Sequence, residues 1–326
     1  MTAPHYHPVV TPNRPILLIL GPTAGGKTAL SLELARRLPG GGECLAADSM
    51  QIYRGMDIGT AKPTTAERAA VPHHLIDIAD PRGGACGVDG FTVDDWLDAA
   101  EHAIAAIRAR GCWPIIVGGT NFYIKAFLEG MFEGPQPDPA LRRELEALDQ
   151  AALRTELERV DPPAAARIHP NDRRRTIRAL EVFRQMGHPI SALQSQWDRG
   201  RTRPNVRIIG LDYLAAAINP RINARVKAMM AAGLADEVKR LWQAGDLGPQ
   251  AREALGYKQL IDWLEGRCTL DEAVEQIKIR TRRYAKQQRT WLRRFRLWPN
   301  ARWFEVTDPD AGPPLEAILD WVMESA

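Results

Sequence analysis

The chain has 326 residues, 45% apolar and 25% charged, enough for one large or two moderate domains around a substantial core. The apolar run Pro15 to Leu20 falls far short of the roughly 20 residues a membrane span needs, and the Pro- and His-rich first fourteen residues lack the pattern of a secretory signal. A net charge of only +3 hides an asymmetry: no Asp or Glu occurs from Gln276 to Phe304, where Lys and Arg recur, which asks for a polyanionic partner.

In chain order, residues 1–14 read as a disordered lead-in. Arg14 to Leu20 is a short apolar run that reads as a strand ending at Gly21, and Ala29 to Leu38 has helical periodicity. Glu43 to Ala47 predicts a second strand ending at Asp48-Ser49, and His74 to Ile78 a third ending near Asp80. A helix over Val93 to Arg110 leads to a fourth strand, Trp113 to Val117, closed by Gly118-Gly119-Thr120. This alternation predicts an α/β fold, a P-loop NTPase-like parallel sheet flanked by helices. The pattern then changes at the Pro-rich stretch Gly134 to Pro139. Ala140 to Trp197 is helical with no clear strand, and after a break at Gly200 to Pro204 a last strand spans Val206 to Leu211 before further helix. The expected organisation is a catalytic core of residues 15–134 and 205–326, interrupted by a helical insertion domain at residues 135–204. The four cysteines, Cys44, Cys86, Cys112 and Cys268, form no CxxC pair, which points to a reducing cytoplasm and away from a zinc site or disulfide framework.

Gly21-Pro-Thr-Ala-Gly-Gly-Lys-Thr28 matches GxxxxGK[ST] between a strand and a helix, the context that motif requires. Consecutive backbone amides and the positive end of a helix dipole there surround phosphate oxygens, Lys27 adds a point charge, and the Thr28 hydroxyl suits a magnesium ion that keeps most of its waters. Asp48 is expected at the carboxyl end of the second strand, beside that loop. It is placed either for general-base or metal-shell work or simply to cap the next helix, and position does not choose between these. Leu75 to Asp80 could supply a magnesium-binding carboxylate but lacks the aliphatic run such a strand carries, and the adjacent His73 and His74 read as structural. Near the end, Arg282, Lys286, Arg289, Arg293 and Arg296 recur at helical spacing, with Tyr284, Gln288, Trp291 and Phe295 on a neighbouring face. Without acidic residues to pair with, the stripe suits phosphate-backbone contact with stacking. Arg167, Arg173, Arg174, Arg175 and Arg178 form a second basic cluster. Two such surfaces imply a ligand larger than a nucleotide.

Taken together, these motifs resemble the tRNA dimethylallyltransferase family. The likeness is carried by residues 21–28, Asp-Ser-Met-Gln-Ile-Tyr-Arg-Gly at 48–55 with its continuation to Pro63, Pro-His-His-Leu-Ile-Asp at 72–77, and Val-Gly-Gly-Thr at 117–120. It continues through Ala-Arg-Ile-His-Pro-Asn-Asp at 166–172, Arg-Ala-Leu-Glu-Val at 178–182, Leu-Gly-Tyr-Lys at 255–258 and the basic helix around Thr290-Trp-Leu-Arg293. The resemblance implies transfer of a dimethylallyl group from its pyrophosphate to the exocyclic amine of an adenosine beside the anticodon, extruded from its stack into a channel. It implies catalytic roles for Asp48 as general base, Lys27 and Thr120. Gly21, Pro22, Thr23, Ala24, Gly25, Gly26, Lys27 and Thr28 would hold the pyrophosphate with Arg225, with Arg221 as a further candidate, while Thr28 reaches Mg2+.

Contact with the tRNA anticodon stem-loop is implied for Asp48, Ser49, Met50, Gln51, Thr120, Arg142, Arg174, Arg175, Thr176, Ile177 and Arg178. It is implied further for Glu253, Ala254, Leu255, Gly256, Tyr257, Lys258, Lys286, Gln287, Gln288, Arg289, Thr290, Trp291, Leu292 and Arg293. The expected state is a monomer with no membrane partner. Two departures from the family pattern are Gly25 in place of serine, tolerable in a loop working through its amides, and Gln287 where a basic residue is more usual. The rival readings are a small-molecule or nucleotide kinase, which would need no tRNA, and a non-catalytic RNA-binding module, which would leave the P-loop and Asp48 unexplained.

Overall fold

The structure, a computed structural model, describes residues 14–83, 91–131, 134–194, 203–308 and 311–324. Residues 1–13 of the expected lead-in, Cys86 and most of the expected break at 200–204 lie outside these. The chain divides into two compact units, one of residues 1–124 and 204–326 and the other of residues 125–203.

In the larger unit six strands form a wholly parallel sheet in the order β3-β2-β4-β1-β5-β6. The strands are β1 (Ile16–Leu20), β2 (Gly42–Ala47), β3 (His73–His74), β4 (Trp113–Gly118), β5 (Val206–Asp212) and β6 (Ala301–Glu305). Every residue of β1 is buried. Leu17 and Ile19 join a cluster with Leu30 and Leu34 of α1 (Lys27–Arg37), Ile218 and Ile222 of α10 (Ala215–Ala231), and Ile318 of α14 (Leu315–Glu324). The intervening Ile16, Leu18 and Leu20 are equally buried, so both faces of the sheet are covered. On α3 (Val93–Ala109), Trp96 donates its indole N–H to Ala46 O at 2.9 Å and stacks on Tyr123. A second core, including Ile52, Tyr53, Val226, Leu234, Tyr257 and Ile277, joins the loop after β2 to α10, α11 (Leu234–Gln243), α12 (Tyr257–Leu264) and α13 (Leu270–Phe295).

Two elements differ from the sequence reading. The strand expected over His74 to Ile78 ends at His74, because Leu75 (φ 64°) and Asp77 (φ 60°) take left-handed backbone that no strand contains. Asp77 is drawn instead to Lys62 and Arg68, at 2.5 and 2.7 Å. Conversely β6, at the sheet edge, interrupts what read as continuous helix. Only Phe304 of its five residues is buried, and the short mixed sequence Ala-Arg-Trp-Phe-Glu has no uninterrupted apolar run to mark a strand.

The smaller unit is helical. After α4 (Asn121–Glu129), which straddles its boundary, come α5 (Pro139–Ala147), α6 (Gln150–Val160), α7 (Pro162–Arg167), α8 (Arg173–Met186) and α9 (Ile190–Gln194). The single helical stretch read from sequence is cut by aspartates. Asp138, Asp149, Asp161 and Asp172 each accept backbone N–H bonds from the first turn of the following helix. Leu145, Leu153, Leu157 and Leu180 centre a core of their own. Glu181, fully buried, accepts from Arg142 and Arg178 at 2.9 and 2.7 Å.

Candidate active site

The P-loop lies where β1 gives way to α1. Gly26, at φ 76°, makes the left-handed turn that a side chain would strain, and α1 then begins at Lys27 with no side-chain cap and no acidic residue in its first turn. Its leading amides are thus left for an anion. The loop is braced from outside: Gly25 N–H bonds Pro22 O at 3.1 Å, Tyr213 Oη donates to Gly25 O at 2.9 Å, and Arg221 Nε donates to Ala24 O at 3.0 Å. Arg221 therefore stands behind the loop as a brace. Lys27 Nζ folds onto Gly21 O and Pro22 O at 3.0 and 2.9 Å. Burial, helped by the nearby Arg225 charge and opposed by Asp48, lowers its pKa to about 8.

Two cavities flank Asp48. The first, about 250 Å³, is lined by Thr23 to Thr28, Asp48, His73, Gly119 and Arg225 among others. The second, about 340 Å³, is lined by the apolar Met50, Ile222, Val226, Met229, Leu234, Leu255 and Ile277 together with polar residues that include Ser49, Thr120, Glu253 and Thr281. Thr23, Asp48, Thr60, Arg225 and Tyr284 belong to both, so the cavities meet at that carboxylate. No helix begins after Asp48 until Thr65, so its carboxylate holds a turn and does not cap a helix. Oδ1 accepts from Met50 N at 2.9 Å and, more weakly, from Gln51 N at 3.4 Å. Oδ2 packs on the Cα face of Gly119, where a Cβ would come within 2.5 Å. Thr120 Oγ1 accepts from Ser49 N at 2.9 Å, tying the loops after β2 and β4 together. Burial lowers the pKa of the Arg225 guanidinium while Asp48 opposes the shift, leaving a poorly hydrated cation beside a carboxylate.

Oxygen donors suited to magnesium are present: Thr28 in the first turn of α1 and Asp48 opposite, both lining the first cavity. Among the described residues no group of three His, Cys, Asp or Glu could hold a metal by itself. Neither Asp77 nor Asp80 lines that cavity, and Asp77 is held by Lys62 and Arg68. His74 Nε2 meets Glu43 at 2.7 Å and His73 Nδ1 meets Val71 O at 2.7 Å, both within the scaffold.

The residues expected to face RNA divide by placement. On α13, Lys286, Gln287, Thr290, Trp291 and Arg293 are exposed and Arg289 is half-buried, but Gln288 and Leu292 point inward. Ala254 and Tyr257 are core, whereas Glu253 and Lys258 are exposed and paired at 2.6 Å. The end members of the basic stripe serve the scaffold: Arg282 donates to Asn223 at 2.6 Å, and Arg296 pairs with Asp212 and lies over the Trp303 ring at 4.4 Å. In the smaller unit Arg174 and Arg175 are exposed, Thr176 and Ile177 are buried, and Arg142 and Arg178 are engaged with Glu181.

The sequence reading missed Glu237. Buried on α11, it accepts the backbone N–H groups of Asp57, Ile58 and Gly59 at 2.9–3.1 Å and the Tyr257 hydroxyl at 2.5 Å, fixing the loop that carries Thr60 into both cavities. No motif announces it, since its backbone partners are about 180 positions away. Among the described residues no helix is long and apolar enough to cross a membrane.

Comparison with known proteins bears on this geometry. A model of a family described as IPP transferase matches residues 51–295. A tRNA dimethylallyltransferase of Shouchella clausii is 47% identical over 305 residues, covering 91% of this chain and 93% of that protein. One from Syntrophobacter fumaroxidans is 47% identical over 300 residues, covering 90% and 84%. Among solved structures, the full-length tRNA isopentenylpyrophosphate transferase of Bacillus halodurans has a TM-score of 0.66 at 41% identity, covering 95% of this chain and 97% of that one. A eukaryotic dimethylallyltransferase acting on tRNA has a TM-score of 0.79 at 26% identity, covering 95% and 80%. With a P-loop opening a parallel sheet and likeness running through nine-tenths of its length, the chain belongs to the IPP transferase family.

Proposed function

We propose that the protein transfers a dimethylallyl group from dimethylallyl pyrophosphate to the exocyclic amine of the adenosine 3′ of the anticodon in tRNA, giving isopentenyladenosine and pyrophosphate. The observation that carries this reading is the position of Asp48, where a cavity walled by an anion-binding loop meets a more apolar one. Two substrates entering separate cavities would meet beside one carboxylate.

In the reaction the amine nitrogen attacks the allylic carbon as its bond to the pyrophosphate oxygen breaks. One amine proton passes to Asp48, and the bonding pair leaves on the pyrophosphate. A neutral adenine amine is a poor nucleophile, so a positioned base matters, and donors already aimed at the departing oxygens lower the barrier further. The leading amides of α1, Lys27 and Arg225 are those donors, and Thr120 orders the Asp48 loop through Ser49. Thr28 would hold Mg2+ with the pyrophosphate oxygens, and the ion would supply charge neutralisation.

The exposed α13 residues Lys286, Thr290, Trp291 and Arg293, with the half-buried Arg289, would meet the anticodon stem-loop through phosphate contact and stacking, as would Arg174 and Arg175 of the helical unit. Ser49, Met50 and Gln51 would line the path of the extruded base. The enzyme would act as a monomer in the cytoplasm. Incubation with labelled dimethylallyl pyrophosphate and unmodified tRNA, followed by nucleoside mass spectrometry, is expected to yield prenylated adenosine. ATP consumption without it would overturn the proposal in favour of a kinase.

A further inference from the structure

Gln288 lies in the middle of the basic helix α13, yet it is 3% exposed and turned away from solvent. Its amide spans two loops of the site. Oε1 accepts the backbone N–H of Thr23 in the P-loop at 2.8 Å, and Nε2 donates to Gly119 O after β4 at 3.1 Å. One helical turn earlier, Tyr284 donates its hydroxyl to the same Gly119 oxygen at 2.9 Å. Gly119 in turn bonds Ala47 O through its own N–H at 3.0 Å, and its Cα is the surface against which Asp48 Oδ2 rests. A continuous chain of short contacts therefore runs from the P-loop, through one side-chain amide, to the backing of the carboxylate.

From this geometry we infer that Gln288 is a positioning residue, which sets the distance between the pyrophosphate cradle and Asp48 and ties both to the helix whose outer face carries Lys286, Arg289 and Arg293. This rests on the prenyl-transfer reading. A general base works only within hydrogen-bond reach of its proton, and misplacement by about 1 Å can cost on the order of 10²-fold in rate. Of the polar side chains on α13, Gln288 is the buried one that reaches the P-loop backbone. Its neutrality suits this position, since a carboxylate would oppose the incoming pyrophosphate and a lysine has no acceptor for the Thr23 amide.

The test compares wild type with Gln288→Met, close in shape but lacking both bonds, and Gln288→Glu, which keeps the acceptor for Thr23 and loses the donor to Gly119. Three quantities are read: the single-turnover rate at saturating tRNA, the affinity for inorganic pyrophosphate, and the affinity for unmodified tRNA. For Gln288→Met the rate is expected to fall by about tenfold or more and pyrophosphate affinity to weaken, with tRNA affinity within about twofold of wild type. An unchanged rate, or a defect that disappears at saturating tRNA, would overturn the inference and return Gln288 to RNA binding. Should Gln288→Met fail to fold, Tyr284→Phe tests the same Gly119 anchor. Its rate is expected to drop several-fold with tRNA affinity preserved, and a wild-type rate would count against the anchor. A wild-type protein that forms no prenylated adenosine would sink the proposed function instead; the pyrophosphate affinities would then still decide whether Gln288 shapes the cradle.

Discussion

In the proposed reaction two side chains, Asp48 and Lys27, act most directly, and each yields a prediction. Asp48 holds the turn at Met50 and Gln51 through one oxygen, so Asp48→Ala would remove a turn-holding acceptor as well as a base. Asp48→Asn separates these roles, because the amide oxygen still accepts from Met50 while basicity is lost. Turnover is expected to fall by roughly 10²–10⁴-fold with melting temperature and tRNA affinity close to wild type. Loss of tRNA binding in parallel with turnover would instead make Asp48 an RNA-positioning group. Lys27 gives a dependence on pH. Burial places its pKa at about 8 in the folded protein against an ordinary 10.5, so the unfolded chain holds more protons between those values. The buried charge therefore costs stability below pH 8, and that cost is relieved as pH rises from about 8 to 10.5. Pyrophosphate needs the charged form, so its affinity is expected to weaken as pH rises through about 8, beyond what the ligand's own ionisation explains. Calorimetric titration of wild type and Lys27→Met at pH 7 and pH 9 checks this: the variant should bind weakly at both and lack the extra dependence.

Among the elements, the loop after β2 depends on α11. Glu237 satisfies three consecutive amides and a buried tyrosine hydroxyl, so Glu237→Ala leaves several donors without partners in a closed space. The expected loss is about 2–4 kcal/mol, with Glu237→Gln milder because one oxygen remains. Chemical denaturation read alongside pyrophosphate binding tests it; a wild-type midpoint for Glu237→Ala would show that the loop is held by Lys62 and Asp57 without help from α11. The same element scale explains where sequence patterning held and where it did not. β1, β2, β4 and β5 are buried on both faces and announce themselves as apolar runs, whereas β3 is cut short by left-handed residues and β6 is a mostly exposed edge. On α13 the spacing of the basic residues was legible, but spacing could not tell that Arg282 and Arg296 would be used by neighbouring scaffold.

Over the whole molecule, the two units have separate cores, and Glu181 is a buried carboxylate of the smaller one, as is Asp161. Removal of the Glu181 carboxylate takes the shared anion from Arg142 and Arg178, and breaking a buried pair costs about 3–5 kcal/mol. Hydrogen exchange on Glu181→Ala is expected to accelerate through residues 138–194 while the P-loop amides keep their protection and pyrophosphate still binds. Equal acceleration in both units would show that they unfold together. From sequence by itself came the alternation of strand and helix, the phosphate loop, the carboxylate at the end of β2 and the two basic clusters, because each is written in local spacing or composition. Which of those residues meet was settled only in three dimensions. Gln288 reaches Thr23 across 265 positions, and Glu237 reaches Ile58 across 179. A helix spacing specifies a face, but whether that face looks at solvent, RNA or the back of a P-loop depends on what the rest of the chain packs against it, and that is a property of the tertiary structure.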